Sequence, residues 1–296
     1  MNPTIAVIDI GSNSVRLMIA GAENGRVCRI SKNLRTTRLA KGIDATGCLA
    51  QDRMKDTVEA IDAFYRSAKA LDVPIIAYAT SAVRDAGNRD EFVSMVKRET
   101  SVSVRVLSGE EEGAFAFSAV TRGAGTVFDI GGGSFQIVTE EHALSVPCGC
   151  VRAKEQCDAS DPKILSDKLF AWIDARAEVP SAVPQPVYGV GGTITTIGAL
   201  LAKQDRFDPS GLRRITREEL DRLLQVLSGI PEPLRMKLPL LTRRGDVILQ
   251  GVTILRYLME RTHTDCVIPS DRDGMEGIAE AYLKEIRSNA RGRDNE

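Results

Sequence analysis

Two short segments hold the residue types best suited to chemistry: Asp9-Ile10-Gly11-Ser12-Asn13-Ser14 and Asp129-Ile130-Gly131-Gly132-Gly133-Ser134. In each, glycine lets the backbone approach a ligand closely and turn several N–H groups the same way. Such a concave set of amides cradles phosphate, helped by the serine hydroxyl. An aspartate at the end of a strand can hold a hydrated Mg²⁺ or orient a water. One such loop says little, because Asp-Gly turns are common hairpin chemistry. Here there are two, and their surroundings, AVIDIGSNSVRLMI and TVFDIGGGSFQIVT, overlay without gaps, Asp129 standing 120 residues after Asp9. A third glycine-rich turn brings Gly191, Gly192 and Thr193 after the apolar run at 187–190. Facing one another across a cleft, these turns would clasp neighbouring phosphates of one ligand.

The elements around the loops follow from periodicity. Residues 5–10 form a short β-branched run and 15–21 a return strand, so the first loop is the turn of a hairpin. Residues 126–130 and 135–139 repeat that pattern. Between the hairpins, residues 54–71 place Met54, Val58, Ile61, Phe64, Ala68 and Leu71 on one helical face. Residues 74–80 and 102–107 read as strands, 88–99 as a helix, and a further helix begins at Glu110-Glu111-Glu112. Helices are also expected at 217–227, 246–261 and 275–287, with a polar, frayed end from Ser288. The gapless pair of strand–turn–strand units predicts two similar α/β domains, 1–122 and 123–296, with a cleft between them. The final helix is placed to pack back on the first domain.

Composition narrows the class. Hydrophobic residues make up 43% and charged residues 27% of 296, with a net charge of −1, a globular balance that supports neither a nucleic-acid coat nor a membrane anchor. An anionic ligand must therefore be held by locally placed donors. The six cysteines match neither a zinc pair nor a Cys-x-x-Cys redox motif, and buried thiols in a reducing cytoplasm are expected. The segment MNPTIAVIDI reads as a strand and not a leader. His142, His263 and Trp172 lie outside the motifs, and Arg213, Arg214 and Arg217 read as an exposed loop and helix start, with guidance of an anionic chain as the alternative.

With Ala79-Thr80-Ser81-Ala82-Val83-Arg84, Ser108-Gly109-Glu110-Glu111-Glu112, Val146-Pro147-Cys148-Gly149-Cys150-Val151-Arg152 and Asp273-Gly274-Met275-Glu276-Gly277, the loops make this chain resemble the Ppx/GppA family of exopolyphosphatases and guanosine pentaphosphate phosphohydrolases. The resemblance runs through nearly the whole sequence in the right order, in the short form with two domains. It implies two actin-like (ribonuclease H-like, ASKHA superfold) domains. It also implies release of a terminal phosphate from inorganic polyphosphate or pppGpp, with Mg²⁺, or alternatively Mn²⁺, as cofactor. Carried over residue by residue, it makes Glu112 the general base and Asp129 the group that binds metal and positions water. Gly131, Gly132, Gly133 and Ser134 become phosphate donors, and Asp9, Gly11, Ser12, Asn13 and Ser14 the opposite clasp. Gly191, Gly192 and Thr193 join them, Arg84 grips a chain phosphate, and Asp9, Asp129 and position 136 make the metal surroundings. The resemblance also allows a homodimer.

One residue departs from the family pattern. The second loop usually continues to a glutamate, and here Gln136 stands in its place, with a carbonyl acceptor but no charge, which predicts weaker metal binding. That departure keeps open a non-catalytic sensor of polyphosphate or alarmones. A sugar or acetate kinase of the same superfold is the further alternative, and the Ser-Gly-x-Glu-Glu and Ala-Thr-Ser-Ala-x-Arg motifs speak against it.

Overall fold

Strand β1 (Thr4–Ile10) is buried at every position from Ile5 onward, as suits the centre of a sheet covered on both faces. The computed structural model describes residues 4–23, 26–121 and 123–293. After β1 come β2 (Ser14–Glu23), β3 (Arg26–Thr36), α1 (Ile43–Thr46), α2 (Gln51–Lys69), β4 (Ile75–Ala79), α3 (Ser81–Asp85), α4 (Arg89–Thr100), β5 (Val104–Val106) and α5 (Gly109–Val120). The second half holds β6 (Thr126–Ile130), β7 (Phe135–Val138), β8 (Ala143–Val146), α6 (Cys150–Gln156), α7 (Pro162–Asp174), β9 (Val187–Val190) and α8 (Gly191–Leu201). It continues through β10 (Ile215–Thr216), α9 (Arg217–Ser228), α10 (Glu232–Arg235), α11 (Ile248–Arg261), β11 (Cys266–Pro269) and α12 (Gly274–Arg293).

The two sheets repeat one plan. The first runs β3-β2-β1-β4-β5 and the second β10-β11-β9-β6-β7-β8. In each, an antiparallel meander of three strands continues into parallel strands on the far side of its first member, β1 with β4 and β6 with β9. This is the α/β arrangement expected of actin-like halves. Asp9 and Asp129 take equivalent places, one residue from the end of the first strand, each facing its hairpin partner: Asp9 opposite Arg16 and Asp129 opposite Gln136.

Two helices exchange sides. Although α5 follows the first sheet, it lies across β6, β7 and β8, while α12, the last element, lies on β1, β2 and β3; the two helices pack on each other. Met275, Ile278, Ala279 and Leu283 of α12 close a core with Ile5, Val7, Met18 and Leu107. The crossing is tight at Gly277, where a Cβ would collide with the Phe115 carbonyl oxygen. Gly277→Ala is therefore expected to destabilise the protein by about 1–3 kcal/mol, the usual cost of overpacking. The measurement is urea unfolding, and an unchanged midpoint would mean the helices can slide apart freely.

Several expectations are corrected. Leu71 is 56% exposed and lies beyond α2, which ends at Lys69 as Asp72 takes a positive φ of 51°. Helix α12 continues to Arg293 where fraying was expected from Ser288. Cys148, Cys150 and Cys157 are buried, whereas Cys28 and Cys48 are exposed. Strands β3, β8, β10 and β11 had no clear sequence signal: β3 is charged and lies at a sheet edge, and β10 has only two residues. As expected, Trp172 packs against the core and His142 and His263 are exposed. Among the described residues, no helix is long and apolar enough to cross a membrane.

Candidate active site

The two Asp-Ile-Gly loops close on themselves in the same way: the Gly11 amide donates to the Ser14 carbonyl at 3.1 Å and the Gly131 amide to that of Ser134 at 2.9 Å. Other carbonyls of the loops are tied down from outside. Asn13 O accepts from the Thr37 and Arg38 amides, Gly131 O from Cys150 and Gly132 O from Val151 at the start of α6. The amides of Ser12, Asn13, Gly132 and Gly133 have no acceptor among the described residues. The loops touch. A Cβ on Gly132 would stand 3.2 Å from Asn13 N, and one on Gly133 would run into the hydroxyls of Ser12 and Ser81. Only glycine permits the halves to meet here.

Together the loops wall a cavity of about 100 Å³, a few waters' worth of space. Asp9, Gly11, Ser12, Asn13, Ser14, Glu112, Asp129, Gly131, Gly132, Gly133, Ser134, Gly191 and Gly192 all line it. The three glutamates that open α5 have separate places. Glu111 completes a capping box with Ser108 and pairs with Arg105, and Glu110 is exposed. Glu112 faces the cavity, where its Oε2 accepts a 3.0 Å hydrogen bond from Arg84. Burial raises the Glu112 pKa, with Arg84 pulling it down, Asp9 adding to the rise and the Gln136 amide opposing it. A carboxylate held so is readier to take a proton than one in water.

Three of the expected residues lie off the wall. Arg84 does not line the cavity; its guanidinium is engaged by the Leu107 carbonyl at 3.1 Å and by Glu112. Gln136 is 2% exposed, with its Oε1 buried against α5 and lacking a partner. In this structure it stands behind Glu112 and not on the cavity wall. Thr193 is buried on α8, its Oγ1 3.8 Å from Cys150 Sγ.

Other residues that line the cavity were not assigned a role from sequence. Arg16 joins Asp9 to Asp273 in paired ion bridges, and Lys32 donates to Asp273 at 3.0 Å. These cations hold Asp273 well below the ordinary carboxylate range, whereas burial raises Asp9 against the pull of Arg16. Arg16 was legible as the cross-strand neighbour of Asp9 in a two-stranded hairpin. Arg244 had no local signal: it reaches the cavity from the segment before α11 and lies directly over Gly192, where any Cβ would strike the guanidinium. Burial lowers its pKa, and no side-chain hydrogen bond or ion pair takes up its charge among the described residues.

Asp129 is the counterpart. Its carboxylate has no hydrogen-bond or ion-pair partner among the described residues, and burial, then Glu112 and Asp273, push its pKa up to about 7. Four acids, Asp9, Glu112, Asp129 and Asp273, thus share one small space. Among the described residues no three His, Cys, Asp or Glu side chains are grouped to cage a metal. Mg²⁺ needs no such cage, since it takes one or two carboxylates and fills its shell with water and phosphate oxygens. The unpaired Asp129, with Asp9 near it, fits that requirement.

A second cavity of about 360 Å³ opens from the first, sharing Asn13, Arg16, Gly191, Gly192, Arg244 and Asp273. It adds Arg29, Lys32 and Arg243, with Phe207 and Leu240 as apolar wall. Arg213 and Arg217 pair with Glu219 and Asp265 and line neither cavity.

Comparison with known proteins finds relatives along most of the chain. The chain is 32% identical to exopolyphosphatase 2 of Mycobacterium tuberculosis, across 93% of this chain and 97% of that one. It is 29% identical to a guanosine-5'-triphosphate,3'-diphosphate pyrophosphatase of Pseudoalteromonas atlantica, across 97% of this chain and 60% of that longer one. The crystal structure of the Aquifex aeolicus Ppx/GppA family member superposes with a TM-score of 0.77 at 29% identity, covering 96% of this chain and 99% of that one. A sequence profile of the Ppx/GppA phosphatase family matches residues 18–285, and the chain belongs to that family.

Proposed function

We propose that this protein is a phosphohydrolase that releases the terminal phosphate of inorganic polyphosphate, of pppGpp, or of both, in a cleft between domains 1–122 and 123–296. One observation carries the reading: amides of both loops and the Glu112 carboxylate border a single cavity with room for one phosphoryl group. The loop amides, the hydroxyls of Ser12 and Ser134 and the Arg244 guanidinium bind the oxygens of that group, for which charge-assisted donors are well suited. Asp129, supported by Asp9, would hold Mg²⁺ (Mn²⁺ being the alternative), which supplies neutralisation of phosphate charge when bound. Glu112 orients a water and takes its proton as the water oxygen bonds to phosphorus. The bond from phosphorus to the bridging oxygen breaks, and the shortened chain leaves with that electron pair. Positioning and charge stabilisation are what such a transfer chiefly requires. The remainder of the ligand runs into the second, cation-lined cavity, whose apolar wall of Phe207 and Leu240 suits a nucleoside and whose arginines suit a bare chain.

The test is phosphate release from short-chain polyphosphate, pppGpp and ATP. Release from the first or second without an acceptor is expected, and chelation by EDTA should lower it at least tenfold, with recovery on adding Mg²⁺. Tight binding without release would establish the sensor, and release only with an acceptor alcohol or acid would establish the kinase.

A further inference from the structure

An ion-pair chain runs from Glu112 out of the cleft and across to the other half of the molecule. Arg84 donates to Glu112 Oε2 through Nη1 at 3.0 Å, and its Nε stands 3.5 Å from Asp85 Oδ1. Asp85 Oδ2 in turn accepts from Arg152 Nη2 at 2.7 Å, and Arg152 Nη1 reaches Asp44 Oδ1 at 3.1 Å. Glu112, Arg84, Asp85 and Asp44 belong to the first half; Arg152 belongs to α6 in the second. It is 7% exposed, and its helix begins by donating the Cys150 and Val151 amides to the carbonyls of Gly131 and Gly132. The phosphate loop of one half and the acid of the other are therefore joined through Arg152, Asp85 and Arg84.

From this geometry we infer that Arg152 is a positioning residue for hydrolysis: by occupying Asp85 it leaves Arg84 committed to Glu112, and it does so only while the second phosphate loop is docked against the first half. The inference rests on the reading of Glu112 as the base. The physical reason is competition. Arg84 lies between two carboxylates: its Nη1 is held by Glu112 and the Leu107 carbonyl while its Nε stands 3.5 Å from Asp85, so drawing that rigid fork closer to Asp85 must pull Nη1 from Glu112. With Arg152 in place, Asp85 has a shorter partner than Arg84, and the Arg84–Asp85 separation stays long. Without it, Asp85, whose side chain is 30% exposed, keeps the Ser81 hydroxyl as a neutral partner, and Arg84 becomes its nearest cation. Arg84 then turns from Glu112, whose carboxylate loses the hydrogen bond that aims it into the cavity. Arg152 touches neither cavity, so its effect on chemistry must pass through these partners.

The experiment measures kcat and KM for short-chain polyphosphate with Mg²⁺. Arg152→Met is expected to lower kcat by about 10–100-fold, as loss of an outer partner of a reacting group commonly does, with KM changed by less than about threefold. The decisive variant is Arg152→Met with Asp85→Asn. Removing the charge that draws Arg84 away should restore kcat to within about threefold of Asp85→Asn alone. A merely structural clamp predicts no such recovery, because the double variant has lost the same contact between halves. Absence of rescue, or a kcat for Arg152→Met within twofold of the parent, overturns the inference. Should Arg152→Met fail to fold, Arg152→Lys carries the test: one compact ammonium pairs with one acid, and neutralising Asp85 should again recover kcat. Glu112→Gln is measured alongside. If that variant alone keeps its kcat, the assignment of the base fails, whatever Arg152 does.

Discussion

Glu112→Gln is expected to lower kcat by about 10²–10⁴, the usual contribution of a positioned general base, while substrate binding changes little. The substitution keeps the size of the side chain and an oxygen that can accept from Arg84. What it removes is the ability to take a proton. The two preceding acids serve as internal controls, because the structure separates their roles. Glu110 is exposed and Glu111 caps α5. Glu110→Gln should leave both kcat and stability near those of the parent. Glu111→Gln should weaken the helix start by about 0.5–1 kcal/mol with little change in kcat. If Glu112→Gln retained kcat within threefold while Glu110→Gln lost it, the cleft acid would have been misidentified.

Asp129→Asn should separate stability from activity. The Asp129 pKa is raised from 3.8 to about 7, chiefly by burial and then by neighbouring acids, so the folded protein prefers this group protonated. A raised carboxylate contributes stability that is fully present below its unfolded pKa and is lost as pH climbs through the folded one. The loss from this group therefore runs between about pH 4 and 7. An asparagine carries no such penalty. The variant should melt above the parent at pH 8, and the difference should shrink towards pH 4. Activity should move the other way, falling roughly a hundredfold or more, since the charge that repels its neighbours is also what attracts a cation. Mg²⁺ should raise the melting temperature of the parent at pH 8 by mass action and leave the variant's unchanged. A variant less stable than the parent at pH 8, or one equally stabilised by Mg²⁺, would show that Asp129 is satisfied by protein groups.

How much of this was legible in the sequence depended on whether the signal was local. The hairpins announced themselves because a buried central strand is an apolar run and its turn must be built of glycine, serine and asparagine; the repeat at 120 residues announced the second sheet. The loops and their aspartates were therefore read together, whereas Glu112 was singled out only by the resemblance to the Ppx/GppA family. Arg84 was read as a phosphate ligand because a guanidinium near a phosphate loop suits that role, and only packing shows it turned to Glu112 and Leu107. Gln136 was read as part of the metal surroundings, yet α5 covers it, a consequence of a helix crossing between sheets that no periodicity encodes. Arg244 and Asp273 reach the cavity from more than 100 residues beyond either loop's strand pair, and their meeting with Gly192 and Arg16 exists only in the folded chain. The charged edge strand β3 hid Arg29 and Lys32 for the same reason: its pattern is set by its partner and not by an apolar run.

The exchange of α5 and α12 has a consequence for how the molecule is made. The sheet assembled from residues 4–106 has one face that is covered by residues 275–283, so its earliest strands wait for the latest helix. Such long-range closure is slow, and meanwhile apolar positions such as Ile5, Val7 and Met18 stand open to water and to other chains. Proteolytic trimming within α12 should thus loosen the opposite end of the sequence first, with Asp9 and its turn losing their backing before anything near the cut does.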